Sequence, residues 1–238
     1  MIEFCFLGIN GSVQELHVGN TSLLIRGEEE CICVDLSCNL AAAVEAEPDM
    51  VILTHEHIDH VYGLPSFLHQ SWLKGRKKPL TIIVPPLMEY IPEGLIELFG
   101  LREKAGMFDI IIRKDSRFRV GSLMVRTFLS DHTKTSIGFS VEDDEKKLLY
   151  TSDTRPGLIS PKVDVLIHEA SGLSKYEEVL RRKGHSSGAE AGKTAKRIGA
   201  EKLFLCHLPA EGKTKVLKDA QEFFPQAEIP KVLKWYTV

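Results

Sequence analysis

The chain has 238 residues, of which 43% are hydrophobic and 26% charged, so it can bury a sizeable core, and we expect one domain that spans residues 1–238. The net charge of −3 excludes a strongly basic protein, so nucleic-acid binding would need a local basic patch. No apolar run approaches the roughly 20 residues that cross a bilayer, so no membrane partner is expected. The five cysteines form no C-x-x-C pattern, and the first residues lack the basic segment of a signal peptide. Both observations predict a cytoplasmic location.

The first half of the chain is predicted to be rich in strands. The polar residues 27–30 lie between two apolar runs and indicate a hairpin. The predicted strands are Ile2–Leu7, Thr21–Arg26, Cys31–Asp35, Met50–Leu53 and Thr81–Val84. Helices are predicted at Asn39–Glu47, from Pro65 onward, and at Glu93–Phe99.

The second half repeats this order of strands followed by helices. Predicted strands are Ile110–Ile112, Leu123–Leu129, Ile137–Val141, Lys147–Thr151, Val163–Ile167 and Lys202–Cys206. Predicted helices are Ser187–Ile198 and Thr214–Phe224. Two strand-rich blocks, each followed by helices, predict an α/β protein with a four-layer αββα sandwich.

A dense group of histidines, His55-Glu56-His57-Ile58-Asp59-His60, comes directly after the predicted buried strand Met50–Leu53. Imidazole and carboxylate groups are the ligands that divalent metals such as zinc accept. His55 and His57 can converge on one ion while Asp59 and His60 face a second. The alternative is a polar turn with chance histidines, but this pattern arises by chance in roughly one such chain in a thousand.

Three further residues complete a resemblance to the metallo-β-lactamase superfamily. His132, Asp153 and His207 each follow a predicted strand, in the order in which that family places its later ligands. The resemblance implies that the first metal is held by His55, His57 and His132, the second by Asp59, His60 and His207, with Asp153 between them. Asp131 is the nearest competing ligand. The implied cofactors are two divalent ions, with zinc expected and manganese or iron as alternatives.

Within that superfamily the sequence resembles the branch of RNase Z, the tRNA 3′-processing endonuclease, and its phosphodiesterase relatives. The match covers nearly the whole chain, although single pieces of it are weak. The segments that carry it are Asn20-Thr21-Ser22, Gly63-Leu64-Pro65, Gly75-Arg76 with Pro79-Leu80, Ile167-His168-Glu169-Ala170-Ser171, and His185-Ser186-Ser187.

His185 precedes a predicted helix whose Ser187 and Glu190 have the spacing of a capping box. Free N–H groups at such a helix start suit a phosphate. The resemblance implies that His185 assists the leaving group and that Glu169 orients it. The structural alternative is an exposed histidine at a helix entry. His168 is expected to be structural.

The expected function is that of a dinuclear phosphodiesterase, an RNase Z-like hydrolase that uses a metal-bridging hydroxide and in which Asp59 is also catalytic. Alternatives are a hydrolase of a thioester, lactone or other carbonyl substrate, and a metal-binding regulatory protein. The substrate is expected to be a small phosphodiester or RNA, and a homodimer is considered.

The chain departs from the RNase Z pattern where that branch inserts a tRNA-gripping arm. His132 and Asp153 are only 21 positions apart, which leaves room for one hairpin and puts tRNA recognition in doubt. Two basic runs are expected to be solvated: residues 76–78 as a loop and residues 181–183 as a helix end, the latter with phosphate binding as the alternative.

Overall fold

The computed structural model describes residues 1–157, 160 and 162–238. Within them, two seven-stranded sheets stand one behind the other. The first sheet has the strand order β14-β1-β2-β3-β4-β5-β6. Its strands are β1 (Glu3–Gly8), β2 (Ser22–Arg26), β3 (Cys31–Val34), β4 (Met50–Ile52), β5 (Leu80–Ile83), β6 (Ile110–Arg113) and β14 (Trp235–Thr237).

The second sheet has the order β13-β12-β11-β10-β9-β8-β7. Its strands are β7 (Arg117–Val120), β8 (Leu123–Leu129), β9 (Ile137–Glu142), β10 (Lys147–Tyr150), β11 (Val165–Glu169), β12 (Lys202–Cys206) and β13 (Ala227–Glu228). Strands β3 to β6 are parallel to one another, and so are β10 to β13. The loops after these strands therefore meet at one edge of the sandwich.

Helices cover the outer face of each sheet. The helices are α1 (Leu40–Glu45), α2 (Ile58–Val61), α3 (Leu64–Leu73), α4 (Tyr90–Leu98), α5 (Glu177–Arg182), α6 (Gly188–Ile198) and α7 (Lys213–Gln221), with a 3-10 turn at Ser174–Tyr176. None of the helices in the described residues is long and apolar enough to span a bilayer.

Successive side chains along β1 pack alternately into two separate hydrophobic cores. Phe4 and Phe6 pack into the cluster between the sheets, whereas Cys5 and Leu7 pack with Phe67 of α3 in a second cluster outside the first sheet. Successive side chains of a strand point to opposite faces, so one strand serves two cores. The predicted αββα sandwich is confirmed.

Several boundaries differ from the expectations. The strand expected at Val163–Ile167 is Val165–Glu169, so it ends two residues later and carries Glu169 into the edge where the loops meet. Strand β7 was not predicted, although its residues alternate between exposed and buried as a half-buried strand does. Strand β14 was also missed, because it pairs with β1 from the far end of the sequence. The interval between His132 and Asp153 holds the β9–β10 hairpin, as expected.

Candidate metal centre

The histidine motif occupies the sharp connection between β4 and α3. His55 is fully buried directly after the strand, and His57 is exposed at the start of α2. The single turn of α2 then places Asp59 and His60 inside the protein. A strand that ends and a helix that begins within a few residues give each side chain a different direction, so neighbouring residues can face two centres.

The structure brings together all seven residues of the predicted ligand set, here called the histidine–aspartate cluster: His55, His57, Asp59, His60, His132, Asp153 and His207. One donor atom from each of His55, His57, His132 and Asp153 lies within 4.8 Å of the others, and the same holds for Asp59, His60 and His207. Each group has the number and kind of donors that hold a divalent ion. Asp131, the competing ligand, points to solvent and pairs with Arg155 instead.

Asp153 is the centre of this cluster. Its Oδ2 atom lies 3.7 Å from the Nε2 atoms of both His55 and His60, 3.8 Å from that of His132 and 3.0 Å from that of His207. The approach to His207 lacks the alignment of a hydrogen bond, since both atoms have no hydrogen-bond partner within the described residues. Two metal-ligating atoms that both point at one shared ion position would lie this close to each other without a hydrogen bond.

Unsatisfied polar atoms test whether the cluster fits a metal. Both carboxylate oxygens of Asp153 and the Nε2 atoms of His60 and His207 are buried without a hydrogen-bond partner in the described part of the chain. Leaving such atoms unpaired is costly, and native proteins rarely do so. A divalent cation would satisfy all four, so the side chains present fit metal binding.

His60 is oriented by a residue outside the predicted ligand set. The buried carboxylate of Asp35, at the end of β3, accepts a hydrogen bond from His60 Nδ1 at 2.7 Å. It also accepts from the backbone N–H and the hydroxyl of Thr54 at 2.8 and 2.9 Å. Because the Thr54 hydroxyl is used in this way, it accepts from His55 Nδ1. Both histidines are thus left with Nε2 facing the cluster.

The pKa shifts of this pair have one physical meaning. Burial raises the pKa of Asp35 even though its hydrogen bonds to His60 and Thr54 act in the other direction. Burial acts to lower the pKa of His60, but the charges of Asp35 and Asp153 outweigh it and raise that pKa well above its usual range. Both shifts favour the proton that His60 Nδ1 shares with Asp35, and this hydrogen bond orients the ring so that Nε2 faces the cluster.

Replacing Asp35 by asparagine is expected to weaken metal binding by roughly 10–100-fold, the usual cost of losing the carboxylate behind a ligating histidine. Asparagine is a suitable replacement because Asp35 has a φ of 53°, which asparagine tolerates. Competition with a coloured chelator measures the affinity. Asp49→Asn is the matched control, because Asp49 accepts from Cys31 at the opposite end of the same strands. Equal affinities of the two variants would contradict the assignment.

His132 and His207 are oriented in the same way by other partners. His132 Nδ1 donates to the carbonyl of Gly184 at 2.9 Å. A Cβ at Gly184 would lie 2.6 Å from that nitrogen, and its φ of 86° also requires glycine. The hydroxyl of Ser171 donates to Glu169 Oε2 at 2.7 Å and therefore accepts from His207 Nδ1 at 2.9 Å. In both rings Nε2 is left to face the cluster.

Glu169 connects the cluster to His185. Its fully buried carboxylate accepts from the backbone N–H of Thr154 at 2.8 Å and from His185 Nδ1 at 3.0 Å. Burial acts to lower the pKa of His185, but the hydrogen bond and charge of Glu169 outweigh it, and the pKa lies above its usual range. His185 can thus carry a proton at its other ring nitrogen, at the mouth of the cluster. Asp153, His185 and His207 also form a third group of donors within 4.8 Å.

The expected phosphate site at the start of α6 is not available. The capping box between Ser187 and Glu190 is present and uses the backbone N–H groups of both residues. The N–H of Gly188 donates to the carbonyl of Gly172. Because these donors already have partners, the start of α6 holds His185 in place and does not offer a set of free N–H groups.

Of the two basic runs, the first differs from its expectation, whereas the second lies at an exposed helix end as expected. Arg76 was expected in a solvated loop, but it is buried and donates to the carbonyls of Pro48, Lys78 and Pro79, so it closes the turn before β5. Arg181 pairs with Glu177 and Glu190. Arg181, the first residue of the run 181–183, is therefore engaged in ion pairs, which weakens the alternative that this run binds phosphate.

The family assignment comes from a comparison with protein-family models. The model described as the Beta-lactamase superfamily domain matches residues 37–208, which is most of the chain and includes all seven residues of the cluster. The chain belongs to this superfamily.

Curated relatives and solved structures extend the likeness to the whole chain. Ribonuclease Z of Halorubrum lacusprofundi is 24% identical over 94% of this chain and 92% of the relative, and that of Methanothermobacter thermautotrophicus is 22% identical over 96% and 94%. The metallo-beta-lactamase fold protein YhfI from Bacillus subtilis has a TM-score of 0.81 at 21% identity, over 99% of this chain and 98% of that one. Human tRNase Z, short form, has a TM-score of 0.81 at 20% identity, with the same coverages. The predicted superfamily and a hydrolase are confirmed, and the relatives named Ribonuclease Z agree with the predicted branch.

Proposed function

We propose that this protein is a dinuclear metal-dependent phosphodiesterase of RNase Z type. The observation that carries the proposal is the pairing of a complete seven-residue cluster with His185, which Glu169 holds at its mouth. Two divalent ions, with zinc expected and manganese or iron as alternatives, would supply a hydroxide nucleophile at neutral pH and take up charge on the phosphoryl oxygens.

The chain's own residues have distinct roles in this proposal. His55, His57 and His132 would hold one ion, Asp59, His60 and His207 the other, and Asp153 both. Asp59 is fixed by the hydroxyl of Ser12, which donates to its Oδ2 atom at 3.0 Å, so its carboxylate is aimed before any ion arrives. His185 would donate a proton to the departing oxygen, and Glu169 would hold the imidazole in the orientation and charge state that this requires.

A carbonyl substrate such as a thioester or lactone is the alternative. The His185–Glu169 pair supports the diester over the thioester, because an alkoxide leaving group needs a proton donor that a thiolate does not, and the substrate panel distinguishes the lactone. The relatives named Ribonuclease Z support the same choice, since they match nearly the full chain.

RNA needs many more phosphate contacts for tight binding than a small diester does. Affinity for nucleic acid comes mainly from Lys and Arg side chains that neutralise phosphates. Near the cluster, Arg155 is paired with Asp131 and Arg181 with two glutamates, so neither is free for that purpose. We therefore propose small phosphodiesters as better substrates than precursor tRNA. A homodimer and a cytoplasmic location stay predictions.

A substrate panel on metal-loaded protein tests the proposal. We expect close to two equivalents of metal by elemental analysis, cleavage of bis-p-nitrophenyl phosphate, and weak or absent processing of precursor tRNA. Turnover of a thioester or lactone with all diesters untouched would overturn the proposed reaction. Efficient site-specific processing of precursor tRNA would overturn the preference for small diesters, and one equivalent of metal or none would contradict the dinuclear centre.

A further inference from the structure

The segment Lys183-Gly184-His185 lies along one side of the mouth of the histidine–aspartate cluster. The carbonyl of Gly184 accepts from His132 Nδ1 at 2.9 Å, and a Cβ added at Gly184 would lie 3.2 Å from the Cα atom of His132. The imidazole rings of His185 and His132 have their centres 4.6 Å apart. Lys183 is therefore one peptide bond away from a residue that packs against a proposed metal ligand.

A second lysine, Lys134, approaches the same ligand through the chain itself. It lies two positions after His132, in the loop between β8 and β9. Successive Cα atoms are about 3.8 Å apart and the stem of a lysine spans about 6 Å, so the ammonium groups of Lys134 and Lys183 can both reach the solvent side of His132. The two lysines thus flank one ligand of the proposed metal centre.

Both lysines lack a counterion. Lys134 and Lys183 are exposed, and among the residues that the structure describes neither ammonium group has an ion pair or a hydrogen bond. The other charged groups on this side are engaged, since Arg155 pairs with Asp131, and Glu56 accepts from the hydroxyls of two threonines. Two unpaired positive charges beside a metal centre attract an anionic group in addition to the one that reacts.

We propose that Lys134 and Lys183 bind a second phosphate group on the substrate, so that the preferred substrate is a small phosphodiester that also carries a phosphomonoester. The inference rests on the proposed phosphodiesterase function and adds a substrate class to it. Proteins that bind nucleic acid tightly make about 6–10 phosphate contacts, whereas two lysines are enough for one phosphate. Lysine suits this role because its compact charge on a flexible stem can follow a phosphate without a fixed geometry.

A pair of chromogenic substrates tests the second-phosphate site on metal-loaded protein. Thymidine 5′-(p-nitrophenyl phosphate) with and without a 3′-phosphate has the same scissile diester and leaving group, so only the added phosphate differs. Lys134→Gln, Lys183→Gln and the double variant remove the charges and keep polar side chains of similar length. Lys77→Gln is the matched control, because Lys77 is exposed and precedes β5, at the end of the parallel strands opposite the metal centre.

The ratio of kcat/KM values for the two substrates is the measurement. At low salt the unaltered protein should favour the 3′-phosphorylated substrate by about 10-fold, and added salt should weaken this preference. Each single variant should lower the preference by about 3-fold, as expected for an exposed ion pair, and the double variant should bring it near parity. Lys77→Gln should retain it. An unchanged preference in the double variant, or no preference in the unaltered protein, would overturn the second-phosphate site and leave the phosphodiesterase function standing.

A binding experiment separates this site from the reaction. Calorimetry with adenosine 3′,5′-bisphosphate and adenosine 5′-monophosphate measures the same preference with ligands that contain no diester. A preference for the bisphosphate that the double variant loses and Lys77→Gln retains supports the site even if no diester is cleaved, in which case the proposed function fails alone. An equal loss in Lys77→Gln would show a general attraction between the ligand and the charge of the protein, and the proposed site would be wrong.

Discussion

Replacing Asp59 by alanine is expected to lower diester hydrolysis by at least about 10³-fold, which corresponds to roughly 4 kcal/mol of lost transition-state stabilisation. Asp59 is the only carboxylate within the histidine motif that joins the cluster, and its Oδ2 lies 3.8 Å from His60 Nε2 and 3.6 Å from His207 Nε2. Without it the second group of donors would keep only two imidazole nitrogens and no carboxylate of its own. We therefore expect metal content to fall from two equivalents toward one.

Elemental analysis and kcat on bis-p-nitrophenyl phosphate measure the two effects separately. Asp131→Asn is the matched control, because Asp131 adjoins the proposed ligand His132 but its carboxylate faces solvent and pairs with Arg155. That variant should keep both metals and stay within a few-fold of the unaltered protein. Activity of Asp59→Ala within the same few-fold range would show that Asp59 has neither role.

Replacing His185 by alanine is expected to slow diester cleavage by roughly 10²–10⁴-fold, the usual contribution of a positioned acid–base group. The imidazole is held through Nδ1 by Glu169, whose charge raises its pKa against the effect of burial, so the protonated form persists toward neutral pH. Loss of this acid should matter most for a poor leaving group. The ratio of rates for p-nitrophenyl and methyl leaving groups is therefore the informative readout.

Metal content decides between the two roles open to His185. Because Asp153, His185 and His207 also lie within 4.8 Å of one another, His185 is placed well enough to bind metal itself. The alanine variant should retain two equivalents if His185 is the acid. Its loss of an ion, or cleavage at the normal rate with both ions present, would exclude the proposed role. His17→Ala, at an exposed loop residue outside the cluster, controls for the loss of an imidazole.

The layers of the fold and most of the cluster follow from local sequence and strand order. Alternating apolar residues specified the strands, and chemically distinctive residues followed them, at Met50–Ile52, Leu123–Leu129, Lys147–Tyr150 and Lys202–Cys206. Because the loops after these strands meet at one edge of the sandwich, the order of elements was enough to bring His55, His132, Asp153 and His207 together. The choice of His132, Asp153 and His207 among the polar residues that follow strands came from the resemblance to the superfamily.

Long-range contacts, in contrast, determine which atoms face the centre and what surrounds it. His132 is oriented by a carbonyl 52 positions away in the chain, at Gly184, and His60 by Asp35, 25 positions away. Arg76 has the sequence context of a solvated cation but is buried by carbonyls that the fold brings over it. An apolar groove lined by Tyr62, Leu95 and Leu98 exists because α4 packs beside α3. Hydrogen-bond direction and enclosed volume depend on residues that are distant in sequence, and no local pattern encodes them.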